Sequence, residues 1–128
     1  MRVFIVHSHH EPSSFNGAMT RTACEVLAAA GHEVVVSDLY AMRFDPVSDR
    51  RNFTGIANPD RLHQQDEESL ASQTGGYAPD VLAEIEKLNR CDLPVPDLVV
   101  GSTCHSKRLG RPGHGAGAQL WWRALVCG

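Results

Sequence analysis

Residues 3–19 read VFIVHSHHEPSSFNGAM, an apolar run that breaks into a polar loop and reopens as a helix. Val3, Phe4, Ile5 and Val6 are continuous, apolar and rich in β-branched side chains, a pattern suited to a strand buried on both faces of a parallel sheet. The loop then falls at the strand's carboxyl end. Pro12 and the two serines stop the strand, and Ser13 or Ser14 can cap a helix whose apolar stripe runs through Phe15, Ala18, Met19, Ala23, Val26 and Leu27. Free amides at such a helix start attract anions. The competing reading is an ordinary strand-to-helix turn.

Working outward, Gly31 ends the first helix and His32 to Ser37, with Val34, Val35 and Val36 as its core, reads as the second strand. Together these form a βαβ unit, whose crossover is right-handed in nearly all proteins, so the loop belongs to the carboxyl edge of a parallel sheet. From Asp38 to Gly76 periodicity is weak and turn signals recur at Asp45-Pro46, Asn58-Pro59 and Gly75-Gly76. An excursion of that length implies function or short helices of its own, and His63 to Ala71 is a candidate helix. Pro79 opens a further helix with Val81, Leu82, Ile85 and Leu88 on its apolar stripe and Glu84 and Lys87 expected in solvent.

Composition excludes several classes. With 128 residues, 42% hydrophobic and 21% charged, the chain is ordinary for one globular domain. A net charge of −3 without a basic cluster argues against nucleic acid or an acidic membrane as the main partner. No apolar run approaches the length needed to cross a bilayer. Cys24, Cys91, Cys104 and Cys127 form no CxxC pair and no compact disulfide spacing, which favours reduced thiols and a cytoplasmic location. His7, His9 and His10 invite a metal reading, but no paired ligand spacing closes a site, and no metal is expected.

The words H-x-E-P-x-S-F-N-G-A, S-D-L-Y-A-M-x-F-D-P-V, R-R-N-F-T-G and Y-A-P-D-V-L-A-E-I-E-K-L occur in one order at compatible spacing. Over residues 3–93 the chain resembles the NAD(P)H:quinone oxidoreductases, flavoproteins of the flavodoxin-like superfamily. The resemblance implies an α/β fold, a flavodoxin-like open parallel sheet with helices on both faces. It also implies FAD rather than FMN as cofactor, NADH or NADPH as hydride donor, a quinone as acceptor and a homodimer. The side chains that match flavin-contacting positions are His9, Ser14, Phe15, Asn16 and Gln64. His9 and Ser14 can donate hydrogen bonds to pyrophosphate oxygens, Asn16 can donate and accept, and Gln64 can reach ribose or phosphate. Phe15 serves equally well as a packing anchor. Asp38, Asp45, Arg50 and Arg51 are read as holding loops and the subunit interface rather than performing acid–base chemistry.

After Cys91-Asp92-Leu93 the resemblance implies a third strand, a Q-F-P-x-W-W loop, a G-x-P-A-I-L segment and a G-W-x-D-R helix. This chain reads PVPDLVVGSTCHSKRLGRPGHGAGAQLWW instead. Pro94 and Pro96 are expected to spoil a buried strand, since each lacks an amide donor for the ladder. Read one nucleotide later from Pro94 onward, the codons permit Q-F-P-I-W-W, an open position, then G-L-P-A-I-L-N-G-W-A-D-R-V-M-V. We therefore expect two portions. Residues 1–93 form the flavodoxin-like part, and residues 94–128 are a frame-displaced tail holding at most one strand, at Leu98 to Val100. The expected activity is a quinone-dependent NAD(P)H dehydrogenase impaired by that loss. The alternatives are a flavodoxin-like regulatory subunit of a cation transport channel, or a truncated product without function.

Overall fold

The structure, a computed structural model, describes residues 1–45 and 47–95. They run β1 (Arg2–His7), α1 (Phe15–Ala29), β2 (Glu33–Asp38), a 3₁₀ turn (Arg50–Asn52), α2 (Gln64–Thr74), α3 (Pro79–Arg90) and β3 (Leu93–Val95). The chain divides into two compact units. The first holds Met1–Asp45 and the chain from Lys87 through β3; the second holds the intervening segment.

In the first unit the three strands form a parallel sheet in the order β2-β1-β3. Arg2 pairs with Glu33 and His7 with Asp38 along β1 and β2, while Val3 pairs with Leu93 and Ile5 with Val95 on the other side. Because β1 is hydrogen-bonded on both edges and covered on both faces, Val3, Phe4, Ile5 and Val6 are all nearly inaccessible, as a continuous apolar run requires. Leaving the unfolded chain, each such side chain contributes about 1.5–3 kcal/mol. β2 is less covered. Val34 and Val35 are half-buried and Val36 is exposed, in place of the expected valine core, because β2 stands at the sheet edge among the described residues.

Pro94 does not prevent a strand, but β3 is only three residues long and none of them is buried, in line with the expectation that proline would spoil a buried strand. Pro94 lies within it, opposite Phe4. A proline is accommodated because β3 has a single described neighbour, so its missing N–H can face away from the ladder. The sheet thus has three described strands. The expected strand at Leu98 to Val100 and the irregular tail to residue 128 lie outside the described residues.

α1 ends where expected. Gly31 has φ +82, the left-handed geometry that lets its amide and that of His32 bond back to Ala28 and Leu27 at 2.9 and 3.0 Å. The apolar stripe of α1 is shallower than its sequence suggests: Phe15 and Val26 are exposed and only Gly17 is fully buried. Phe15 is the first helical residue, so its side chain leans past the helix end, where no preceding turn lies beneath it.

In the second unit, α2 runs three residues beyond Ala71 and stops at Gly75, whose φ of +69 again supplies the left-handed cap. Ala71, Tyr77, Val81 and Ile85 are buried, Phe53 lies 5.9 Å from Tyr77 ring to ring, and a bridge joins the two backbones. Glu84 is fully buried rather than solvated, since it stands three residues after Val81 on the same helical face. Lys87 is half-buried, and its Nζ donates to the buried Ser37 Oγ at 2.9 Å within the first unit. Arg50 and Arg51 hold loops as expected: Arg50 donates to the carbonyls of Asn58 and Pro59 at 3.0 and 3.4 Å, and Arg51 pairs with Asp49 at 2.9 Å. Asp38 caps its turn by accepting from the amides of Tyr40 and Ala41 at 3.1 and 3.0 Å.

Candidate functional site: the loop between β1 and α1

The buried run of β1 delivers its carboxyl end to a loop, residues 8–14, that folds back onto the start of α1. Ser14 is the cap. Its backbone is extended, its Oγ accepts from the Gly17 amide at 3.2 Å, and its carbonyl accepts from Ala18 at 2.9 Å. Ser13 is otherwise engaged, donating through its amide and hydroxyl to the Glu11 carboxylate at 3.0 and 2.7 Å. Those two bonds, hydroxyl first, hold the Glu11 carboxyl below its ordinary range, with His10 and His9 adding a smaller pull.

The loop packs tightly on the helix. A side chain on Gly17 would overlap the Pro12 carbonyl, whose carbon would lie 2.9 Å from the added Cβ. Arg21 donates to that same Pro12 oxygen at 2.6 Å. Gly17 and Arg21 therefore shape the loop, and nothing in the sequence pattern singled them out: the signal is a glycine in the first turn of a helix, where its low propensity is otherwise unhelpful.

His9 is fixed by this packing. The Glu11 amide donates to His9 Nδ1 at 3.1 Å, and Ser14 Oγ stands 3.0 Å from the same nitrogen. An amide can only donate, and Ser14 already accepts from Gly17, so both contacts are satisfied when Nδ1 offers its lone pair and the ring proton sits on Nε2. The Glu11 carbonyl, 3.2 Å away, competes weakly for the opposite tautomer. His9 also stacks on exposed His10 at 4.6 Å, and His10 tilts against Tyr40 at 6.0 Å.

The helix start adds further donors. Among the described residues the amides of Phe15 and Asn16 and the Asn16 side chain make no hydrogen bond, whereas the Gly17 and Ala18 amides are used by Ser14. The structure thus brings together four of the five expected side chains, His9, Ser14, Phe15 and Asn16, around one helix terminus. Phe15 is 70% exposed, which removes its reading as a packing anchor among the described residues. Gln64 belongs to the second unit, where its Nε2 donates to Ser48 Oγ at 2.6 Å. No group of three potential metal ligands occurs among the described residues, and the δ nitrogens of His7 and His9 already have protein partners. No described helix is long and apolar enough to cross a membrane.

The donor set suits an anionic diphosphate. It offers two backbone amides on the positive end of a 15-residue helix, the polar Asn16 side chain and an Nε2–H on His9. Glu11 turns its carboxylate onto Ser13, which engages its oxygens but leaves a negative charge near the site.

Comparison with known proteins gives the family. Over 93 residues the chain is 41% identical to NAD(P)H dehydrogenase (quinone) 1 of Cavia porcellus, covering 72% of this chain and 34% of that one. It is 44% identical over 95 residues to the protein of the same name from Rattus norvegicus, covering 73% and 35%. It is 38% identical over 95 residues to ribosyldihydronicotinamide dehydrogenase (quinone) of Pongo abelii, covering 73% and 41%. Among solved structures, a proposed quinone reductase from Klebsiella pneumoniae superposes with a TM-score of 0.71 at 27% identity, over 98% of this chain and 45% of that one. The chain spans between a third and about two fifths of the length of these curated relatives. The sequence model of the flavodoxin-like fold matches residues 1–95, and the chain belongs to that family.

Proposed function

We propose that this chain carries the diphosphate-binding end of a flavin site of the NAD(P)H:quinone oxidoreductase type, with FAD as the flavin. The observation that carries the reading is the helix start at the carboxyl end of β1, where free amides, the Asn16 side chain and a tautomer-fixed His9 converge beside the Ser14 cap. The names of its relatives support the reaction class. Bound FAD would supply the ring that accepts a hydride from NAD(P)H and returns two electrons to a quinone. This chain's own residues hold the other end of the cofactor: His9 and the amides of Phe15 and Asn16 bind oxygens, Asn16 orients, and exposed Phe15 offers an aromatic surface. Gln64 is assigned to ribose or phosphate. A cytoplasmic homodimer is the working form that this reading assigns to a chain of this type.

Activity in this chain is impaired. The match to the family's sequence model covers residues 1–95 of the 128-residue chain. This supports a displaced reading frame near Leu93, with loss of the loops that wall the flavin ring. Without stacking on the ring, a few hydrogen bonds worth about 0.5–1.5 kcal/mol each give only weak flavin affinity.

Two measurements test the proposal together. The gene is read across the Leu93 codon, and the chain is compared with a version restored to the other frame and extended to its relatives' length. The restored protein should be yellow, with stoichiometric FAD and quinone-dependent NAD(P)H oxidation. A folded restored protein that stays colourless and inactive would remove the oxidoreductase reading. The given chain already retaining FAD through purification would remove the claim of impairment.

A further inference from the structure

His7 ends β1 and is buried, and nothing in the diphosphate reading uses it. Its Nδ1 lies 3.0 Å from Thr20 Oγ1 on α1, and that hydroxyl lies 3.1 Å from the Asn16 carbonyl, one helical turn back. A hydroxyl has one hydrogen. If Thr20 gave it to His7, two lone-pair oxygens would face each other at the carbonyl; if Thr20 gives it to Asn16, the His7 contact is satisfied only by an Nδ1–H donor. The second arrangement satisfies both contacts.

We infer that His7 is a positioning residue: held as the Nδ1–H tautomer, it donates to Thr20, which donates to Asn16, and the chain of two bonds ties the first turn of α1 to the end of the central strand. Two histidines two residues apart are then fixed in opposite tautomers. His9, with its lone pair on Nδ1, presents a donor outward, and His7, with its proton on Nδ1, points a donor inward at the helix that carries the binding amides. Asn16 sits at the convergence, its carbonyl anchored by Thr20 and its amide and side chain unengaged among the described residues.

The inference concerns His7 and Thr20, and its effect on binding rests on the diphosphate reading. The test is nitrogen-15 NMR of the full chain with labelled histidine, together with titration of inorganic pyrophosphate followed at the Phe15 and Asn16 amides. His7 Nδ1 should carry the proton and His9 Nδ1 should not. His7→Leu and Thr20→Val should weaken pyrophosphate about two- to tenfold, the worth of one net hydrogen bond. His7→Asn, whose amide N–H replaces Nδ1–H, should bind within about twofold of the parent, and Thr20→Ser should do the same.

Melting temperature separates positioning from packing, because His7→Leu should fold at least as stably while binding less well. A bare His7 Nδ1 in the parent chain, or undiminished binding by both His7→Leu and Thr20→Val, would overturn the inference. If a variant fails to fold, the parent's imidazole spectrum still decides. If the parent ignores millimolar pyrophosphate, the diphosphate reading fails on its own. The inference then stands only if His7→Leu displaces the Phe15 and Asn16 amide resonances and His7→Asn leaves them in place.

Discussion

Ser14 Oγ sits 3.0 Å from His9 Nδ1 while accepting the Gly17 amide at 3.2 Å, so one hydroxyl both caps α1 and orients the imidazole beside it. The loop and the helix are thereby a single polar unit, and changes to the cap should be felt at the ring.

Replacing Ser14 by alanine should cost about 0.5–2 kcal/mol of stability through the lost cap. Binding should suffer more than the cap alone explains, because His9 loses the partner that helps fix its tautomer. Ser14→Thr, which preserves the hydroxyl, should recover most of both. Thermal denaturation and pyrophosphate titration of the same samples check the pair of effects, and a Ser14→Ala protein that binds like the parent would contradict the coupling.

The second unit depends on Glu67, which was not singled out in the sequence. Its carboxylate is 2% exposed and accepts from the amides of Ala57 and Asn58 at 2.8 and 3.4 Å, with Arg50 Nη1 3.6 Å away. Glu67→Ala should cost roughly 1–3 kcal/mol, since it strands donors that the carboxylate satisfied. Hydrogen exchange should rise first at Ala57 and Asn58. Glu67→Gln, which keeps one acceptor, should be milder.

Tyr77 gives a pH signature. Burial, with a smaller contribution from Glu68, pushes its hydroxyl up to about 12 from an ordinary value of 10.0. The folded state therefore holds this proton more tightly than the unfolded state. The associated stability is fully present below pH 10 and is lost as pH rises from 10 through about 12. Ultraviolet titration should show one tyrosine ionising late, and denaturant midpoints should fall across that window. In Tyr77→Phe both features should vanish, along with the hydrogen bond to the Glu68 carbonyl.

Much of this was legible in the sequence, and the failures have physical causes. The buried β1 run, the Ser14 cap and the glycines that end α1 and α2 follow from local rules, because each depends on residues adjacent in the chain. Pro94 ruled out a buried strand but not the short, partly exposed one observed, because whether a proline is tolerated depends on strand position in the sheet, which local sequence does not encode. Glu84 misled, and Glu67 gave no signal, because charge argues for solvent until a partner is known, and partners are tertiary. At the site, it was the family resemblance that pointed to His9, Ser14 and Asn16. The tautomer of His9, the Pro12–Gly17 packing and the His7–Thr20–Asn16 chain arise from three-dimensional closure of the loop.

The most direct test of the central claim is a competition experiment on the given chain. FAD binding is followed by flavin fluorescence, with inorganic pyrophosphate and riboflavin as rival competitors. If the chain recognises the diphosphate through the α1 start, FAD should bind weakly and saturably, pyrophosphate should displace it, and riboflavin, which lacks phosphate, should not. Displacement by riboflavin as effective as by pyrophosphate, or the absence of any saturable FAD binding, would contradict the account.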